Sequence, residues 1–258
     1  MTLYWVIGVC FAGGLTSLFL ASVIFKEASQ GLINNMVSLA VGTLLTTAFL
    51  ELIPHAIEEA DNNNHDISFM VLIGILIFFI LEKLFIWRHC HGPNCNKHED
   101  CEASIPKNKI NGKGSIIFIG DLFHNFVDGI LIASAFLVNI NLGLVTAFSM
   151  LLHCLPQEMS TFSILLHSGV SKMKAYILNI TSSIATLVGA LLSFYILSIM
   201  QEFIPYVLAV AASSMIYIAI SDLMPGLHKK TEIKDSIKQI SIIFLGVILV
   251  SFIHSFLH

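Results

Sequence analysis

Residues 120–129 read Gly120-Asp121-Leu122-Phe123-His124-Asn125-Phe126-Val127-Asp128-Gly129, at the centre of an apolar stretch that runs from 115 to 138. The stretch is long enough to cross a bilayer, which takes about 20 apolar residues. Ionisable groups at its midpoint are costly in hydrocarbon, about 2.5–3.5 kcal/mol each on insertion scales, so they mark function by default. His124 and Asp128 are four residues apart and share one helical face. Asn125 sits about 100° round the helix, and Asp121 lies one turn below. The next apolar stretch, 141–167, carries a second set at its own midpoint: His153-Cys154-Leu155-Pro156-Gln157-Glu158. His153 pairs with Gln157, and Cys154 with Glu158, at the same spacing. Pro156 has no backbone N–H and clashes with the carbonyl of Leu152, and such irregular backbone is tolerated at depth where it lines a cavity or is buried in protein.

Working outward, windows of membrane-spanning length fall at 2–25, 31–57, 67–87, 115–138, 141–167, 174–200, 203–226 and 238–257. The first has no charge before Lys26 and no basic leader region, and it is too long and apolar for a signal peptide, so it reads as a mature span. The loops assign the orientation. All 13 Lys and Arg residues fall in or beside the loops that follow odd-numbered spans. The opposite loops hold Glu58, Glu59, Asp61, Asp66 and Glu202. The positive-inside rule then places both termini outside and the 88–114 loop in the cytoplasm. A miscounted span would scatter the basic residues over both faces, so the same pattern supports eight spans. The expected fold is an all-α polytopic membrane protein, one eight-span domain over 1–258.

Composition agrees. Of 258 residues, 56% are hydrophobic and 12% charged, with a mean hydropathy of +0.84. Soluble domains carry about 25% charged residues, so a cytosolic globule and a disordered chain are excluded. The net charge of −4 offers no basic footprint for nucleic acid. The five Cys are an odd number, three of them in one short loop, and imply no disulfide framework.

Imidazole, carboxylate, amide and thiol groups on two consecutive spans form a donor set for a divalent transition metal. A single membrane His more often makes an interhelical hydrogen bond. Two clusters at one depth, each with four-residue spacing, favour coordination instead. The mixed set lacks the closed four-ligand pattern of a structural zinc site, which suits an ion that must leave again. Glu51 and His55, with Glu58 and Glu59, climb the outer half of the second span as an expected entrance. Asp121 and Asp222 lie in the inner half as an expected exit. His89, Cys90, His91, Cys95, His98 and Cys101 crowd the 88–114 loop, a composition that binds metal and suggests an acceptor or sensor for arriving ions.

At these residues the sequence resembles the ZIP family of metal-ion transporters, particularly its LIV-1-like and bacterial branches. His124-Asn125-Phe126-Val127-Asp128-Gly129 matches the family's His-Asn-x-x-Asp-Gly signature in helix 4. His153-Cys154-Leu155-Pro156-Gln157-Glu158 matches the helix-5 signature except at Cys154, where the family has a carboxylate. Leu52-Ile53-Pro54 and Ser221-Asp222-Leu223-Met224-Pro225 extend the similarity. Departures include His55 for an acidic residue after the helix-2 proline, and Ser160 and Thr161 for Gly and Asp after the helix-5 signature.

The resemblance implies an eight-helix bundle with inverted-repeat character and one or two adjacent metal sites between helices 4 and 5. The primary site would use His124, Asp128, His153 and Gln157. A second would use Asn125 and Cys154, sharing Asp128 and Gln157, with Glu158 close to either. A thiol binds well only when deprotonated, so Cys154 leaves the number of sites open and points toward a softer ion. The expected function is transport of Zn²⁺, or of Fe²⁺, Mn²⁺ or Cd²⁺, toward the cytoplasm by alternating access, without enzymatic activity. The expected setting is a plasma membrane or bacterial inner membrane. Expected partners are the metal ion and the lipid bilayer, with a homodimer as the assembly to test. An intramembrane metal-dependent hydrolase with Glu158 as base, a membrane metal sensor built on the loop, and a channel-like carrier are the rival readings.

Overall fold

Without water in the bilayer core, every backbone N–H and C=O must be satisfied inside its own segment, which leaves helices as the simple solution for apolar runs of this length. A computed structural model describes residues 2–24, 30–60, 64–90, 113–167, 170–228 and 233–257, and its elements are helical throughout. They are α1 (Thr2–Ile24), α2 (Gln30–Thr46), α3 (Ile53–Glu59), α4 (Asn64–Cys90), α5 (Lys113–Val138), α6 (Ile140–His167), α7 (Lys172–Ile199), α8 (Ile204–Tyr217), α9 (Met224–Leu227) and α10 (Ile233–Leu257). α2 with α3 forms one span, and α8 with α9 another. Among the described residues seven spans are long and apolar enough to cross a membrane, and α1, 23 residues long, packs beside them as the eighth helix of the bundle.

The second and seventh spans are interrupted in the same way. A π-turn, Thr47–Leu52, joins α2 to α3, and another, Ile218–Leu223, joins α8 to α9. In each the hydrogen bond reaches back five residues, from Ile53 N–H to the Ala48 carbonyl and from Met224 N–H to the Ala219 carbonyl. The cause is local. Pro54 and Pro225 follow directly, cannot donate, and push on the carbonyls of Leu50 and Ser221, so the turn widens. Pro156 does not break its helix; α6 runs unbroken across it.

The packing divides into two groups. α1, α5, α6 and α7 pack on one another, and α2, α3, α4, α8, α9 and α10 form the other set. α2 lies on α10 as α8 lies on α4. That pairs the second span with the eighth and the seventh with the third, the exchange expected of an inverted repeat. Between the groups, α2 meets α6 and α5 meets α8.

Glycines set the closest seams. A Cβ on Gly129 would lie 1.9 Å from the Thr186 carbonyl oxygen, and one on Gly189 2.1 Å from that of Phe126, so α5 and α7 touch backbone to backbone. A Cβ on Gly42 would lie 2.2 Å from the Ile243 carbonyl oxygen, which fixes α2 against α10 in the same manner. Small residues at helix crossings are the usual means of close packing in lipid. The outward faces of α4 and α10 are apolar and exposed, with Phe69, Leu72, Phe79, Phe244, Ile248 and Phe252 among their residues.

Candidate metal centre

The α5–α7 and α5–α6 contacts turn the polar face of α5 inward. His124 Nε2 lies 3.1 Å from His153 Nε2, with the two rings edge to face at 88°. Asp128 Oδ2 lies 3.4 Å from His124 Nε2 and 3.5 Å from His153 Nε2. Cys154 Sγ is 3.5 Å from Asp128 Oδ2 and 3.8 Å from His153 Nε2. His153 is fully buried and Asp128 1% exposed. A tetrahedral ion bound at 2.0–2.1 Å separates its ligand atoms by about 3.3 Å. The donor separations here, 3.1–3.8 Å, match that spacing. His124, Asp128 and His153 form the only group of three or more His, Cys, Asp or Glu ligands this tight among the described residues. Asp128 Oδ1 and His153 Nδ1 are buried without hydrogen-bond partners, so the cluster holds more donor capacity than its internal bonds use.

The remaining site residues divide around this cluster. Gln157 Nε2 donates to Asp121 Oδ1 at 3.4 Å, and Gln157 lines the same cavity as His124. Asn125 Nδ2 donates to the Asp121 backbone carbonyl at 3.0 Å, and its Oδ1 accepts from Thr186 Oγ1 at 3.2 Å. Asp121 is buried, and its Oδ2 accepts from Ser182 Oγ at 2.6 Å. α7 thus braces the polar face of α5 through Ser182 and Thr186. Those two hydroxyls gave no signal in the sequence, because Ser and Thr are ordinary helix-packing residues in membranes.

Two cavities meet at the cluster. One, about 410 Å³, is bounded by α1, α5, α6 and α7 with Ile253 of α10, and receives Asp128, Asn125, Cys154, Glu158 and the buried Cys10. The other, about 390 Å³, receives His124, Gln157, Asp222, Ser221, Tyr217 and Glu82. Tyr217 donates a hydrogen bond to Glu82 Oε2 in its lining. Cys10, Glu82 and Tyr217 were not among the candidates read from sequence; the first is a lone thiol in an apolar span, Glu82 sits at a span end, and Tyr217 is an ordinary aromatic residue within one.

The proposed entrance residues also have partners. Glu51 is 1% exposed, and its Oε1 lies 2.9 Å from Nδ1 of His254 on α10. His55 Nδ1 is 2.8 Å from the Glu51 backbone carbonyl. His89 and Cys90 end α4, while His91, Cys95, His98 and Cys101 lie outside the described residues.

Comparison with known proteins places this arrangement in a family. The family model described as ZIP Zinc transporter matches residues 2–116 and 106–254. The chain is 28% identical to a Drosophila melanogaster protein named zinc transporter ZIP13 homolog, over 87% of this chain and 78% of that protein. It is 24% identical to zinc transporter ZIP13 of Pongo abelii, over 89% of this chain and 69% of that protein. It is also 24% identical to zinc transporter ZIP13 of Danio rerio, over 91% and 82%. With both signature helices inside the matched regions and their imidazoles and carboxylate meeting in the bundle, the chain belongs to the ZIP zinc transporter family, whose members are membrane transporters and not enzymes.

Proposed function

We propose that this protein carries Zn²⁺, or a related ion such as Fe²⁺, Mn²⁺ or Cd²⁺, toward the cytoplasm through a site between α5 and α6. The observation that carries this reading is the convergence of His124 Nε2, His153 Nε2 and Asp128 Oδ2 to within 3.1–3.5 Å of one another at mid-span. Cys154 supplies a fourth donor and a bias toward softer ions. Zinc as cargo is supported by the names of the relatives.

The ion enters at the outer end of the second span, past Glu51 and His55, and exchanges water for the buried donors. Gln157 and Asp121 wait below the cluster, and Asp222 lies in the cavity that His124 also faces. Release toward the basic loops follows that cavity, and the Cys/His loop 88–114 accepts the ion. Alternating access is supported by the division into two packed groups with a thinner interface between them. The group carrying α5 and α6 moves against the one carrying α2 and α8.

Uptake of radiolabelled zinc by reconstituted vesicles tests the site. His124→Ala and Asp128→Ala are each expected to lower initial uptake at least tenfold, the loss expected when a ligand of a transported ion is removed. Parental rates in either variant overturn the assignment.

A further inference from the structure

The geometry points to a second cation site, formed by the Glu51 carboxylate on the second span and the His254 imidazole on α10, that captures a divalent transition ion ahead of the central cluster. It deepens the transport reading above, naming the ligand pair of the entrance.

Glu51 lies in the π-turn after α2 and is 1% exposed, yet Oε2 has no hydrogen-bond partner among the described residues. A buried carboxylate oxygen left unsatisfied is costly. Only Oε1 is engaged, 2.9 Å from His254 Nδ1. The glycine seam sets this juxtaposition: Gly42 and Gly246 hold α2 and α10 in backbone contact. Glu51 lies nine residues beyond the first and His254 eight beyond the second, so the two side chains arrive at one height on parallel helices.

A second buried oxygen lies level with them. Thr47 and Ser149 hydrogen-bond between the second span and α6, which are antiparallel. Glu51 is one turn beyond Thr47, and Thr146 one turn before Ser149, on the same facing surfaces. Thr146 is fully buried, and its Oγ1 also has no partner among the described residues. Carboxylate and imidazole thus meet from two spans, and helical register puts a buried hydroxyl oxygen of a third at their level. Imidazole with carboxylate favours Zn²⁺-like ions over Mg²⁺ or Ca²⁺. Two strong protein donors hold an ion loosely enough to pass it on.

The height is suited to relay. From Glu51 to Thr47 is about 6 Å along the second span, and from Ser149 to His153 about 6 Å along α6, so the pair stands about 12 Å above the central cluster.

Zinc titration by calorimetry on the full-length protein tests the site. The background carries His124→Ala, Asp128→Asn and His153→Ala, with His89, Cys90, His91, Cys95, His98 and Cys101 replaced by Ser. It is expected to bind about one Zn²⁺ that is lost on adding either Glu51→Gln or His254→Ala. A background that binds no ion, or binding that survives both substitutions, overturns the site. The central cluster is already disabled there, so this outcome is independent of the uptake test above. In otherwise native protein, His254→Gln keeps a hydrogen-bonding shape and guards against misfolding. It is expected to raise the half-saturating zinc concentration for uptake about tenfold with the maximal rate retained. A reduced maximal rate at unchanged half-saturation would assign His254 to bracing α10 and overturn the proposal.

Discussion

Cys154 is the residue at which this chain parts from the signature it otherwise follows, and its Sγ faces Asp128 Oδ2 at 3.5 Å. Sulfur is the softest donor atom in the cluster, so its removal is expected to change selectivity more than capacity. Cys154→Ser should weaken Cd²⁺ competition against zinc uptake by about tenfold and leave Mn²⁺ competition little changed, an order set by ligand softness. Competition assays on reconstituted protein read this directly, and equal loss for both ions would remove the thiol from the coordination shell. Residues of this kind were legible before any coordinates, because charged and imidazole groups stand out against hydrocarbon. Gln157 shows where that legibility stops. Its spacing put it on the face of His153, but the hydrogen bond of its amide nitrogen to Asp121 is set by a neighbour on another helix. His254 was unreadable for the same reason: its partner lies some 200 residues away in sequence, at a height set by the α2–α10 glycine seam.

Among elements, α5 and α7 form the tightest seam, and it explains the glycine that closes the helix-4 signature. Gly129 is there because Thr186 carbonyl oxygen occupies the place of its Cβ, at 1.9 Å. Gly129→Ala must separate the helices, with an overpacking cost of about 1–3 kcal/mol. The expected result is a lower unfolding temperature in detergent and weakened zinc binding, since Asn125 loses register with Thr186. Gly8→Ala, with open space where its Cβ would stand, should leave both unchanged and serves as the control for scanning fluorimetry. The helical spans themselves followed from run length and the one-sided distribution of basic residues. The two π-turns did not, because a proline in an apolar run is compatible with a kink, a break or a wide turn, and local sequence does not choose among them.

For the whole molecule, the two-group division makes a mechanical prediction. Thr47 belongs to one group and Ser149 to the other, and their hydroxyls are in hydrogen-bond contact. Thr47→Cys with Ser149→Cys, in a background whose other cysteines are replaced by Ser, places two thiols within disulfide reach. Oxidation should arrest vesicle uptake while zinc binding persists, and reduction should restore the rate. Transport that continues through a completed crosslink would show that the groups need not slide. Deleting 91–112 addresses the loop at the same scale: most of the flux should survive, because the site and both cavities lie within the bundle. Abolished uptake with intact zinc binding in the bundle would instead make the loop part of the transport path.

The backbone contact between α5 and α7 makes those two helices one rigid body, and the donors that α5 gives to the metal site move with it. Under the proposed mechanism, cargo held there travels with its surroundings, like freight in a sealed compartment, and the moving helices must displace the acyl chains that bathe them. Turnover should accordingly depend on the lipid as much as on the ion, falling in thick, rigid bilayers and rising in thin, fluid ones at constant zinc affinity.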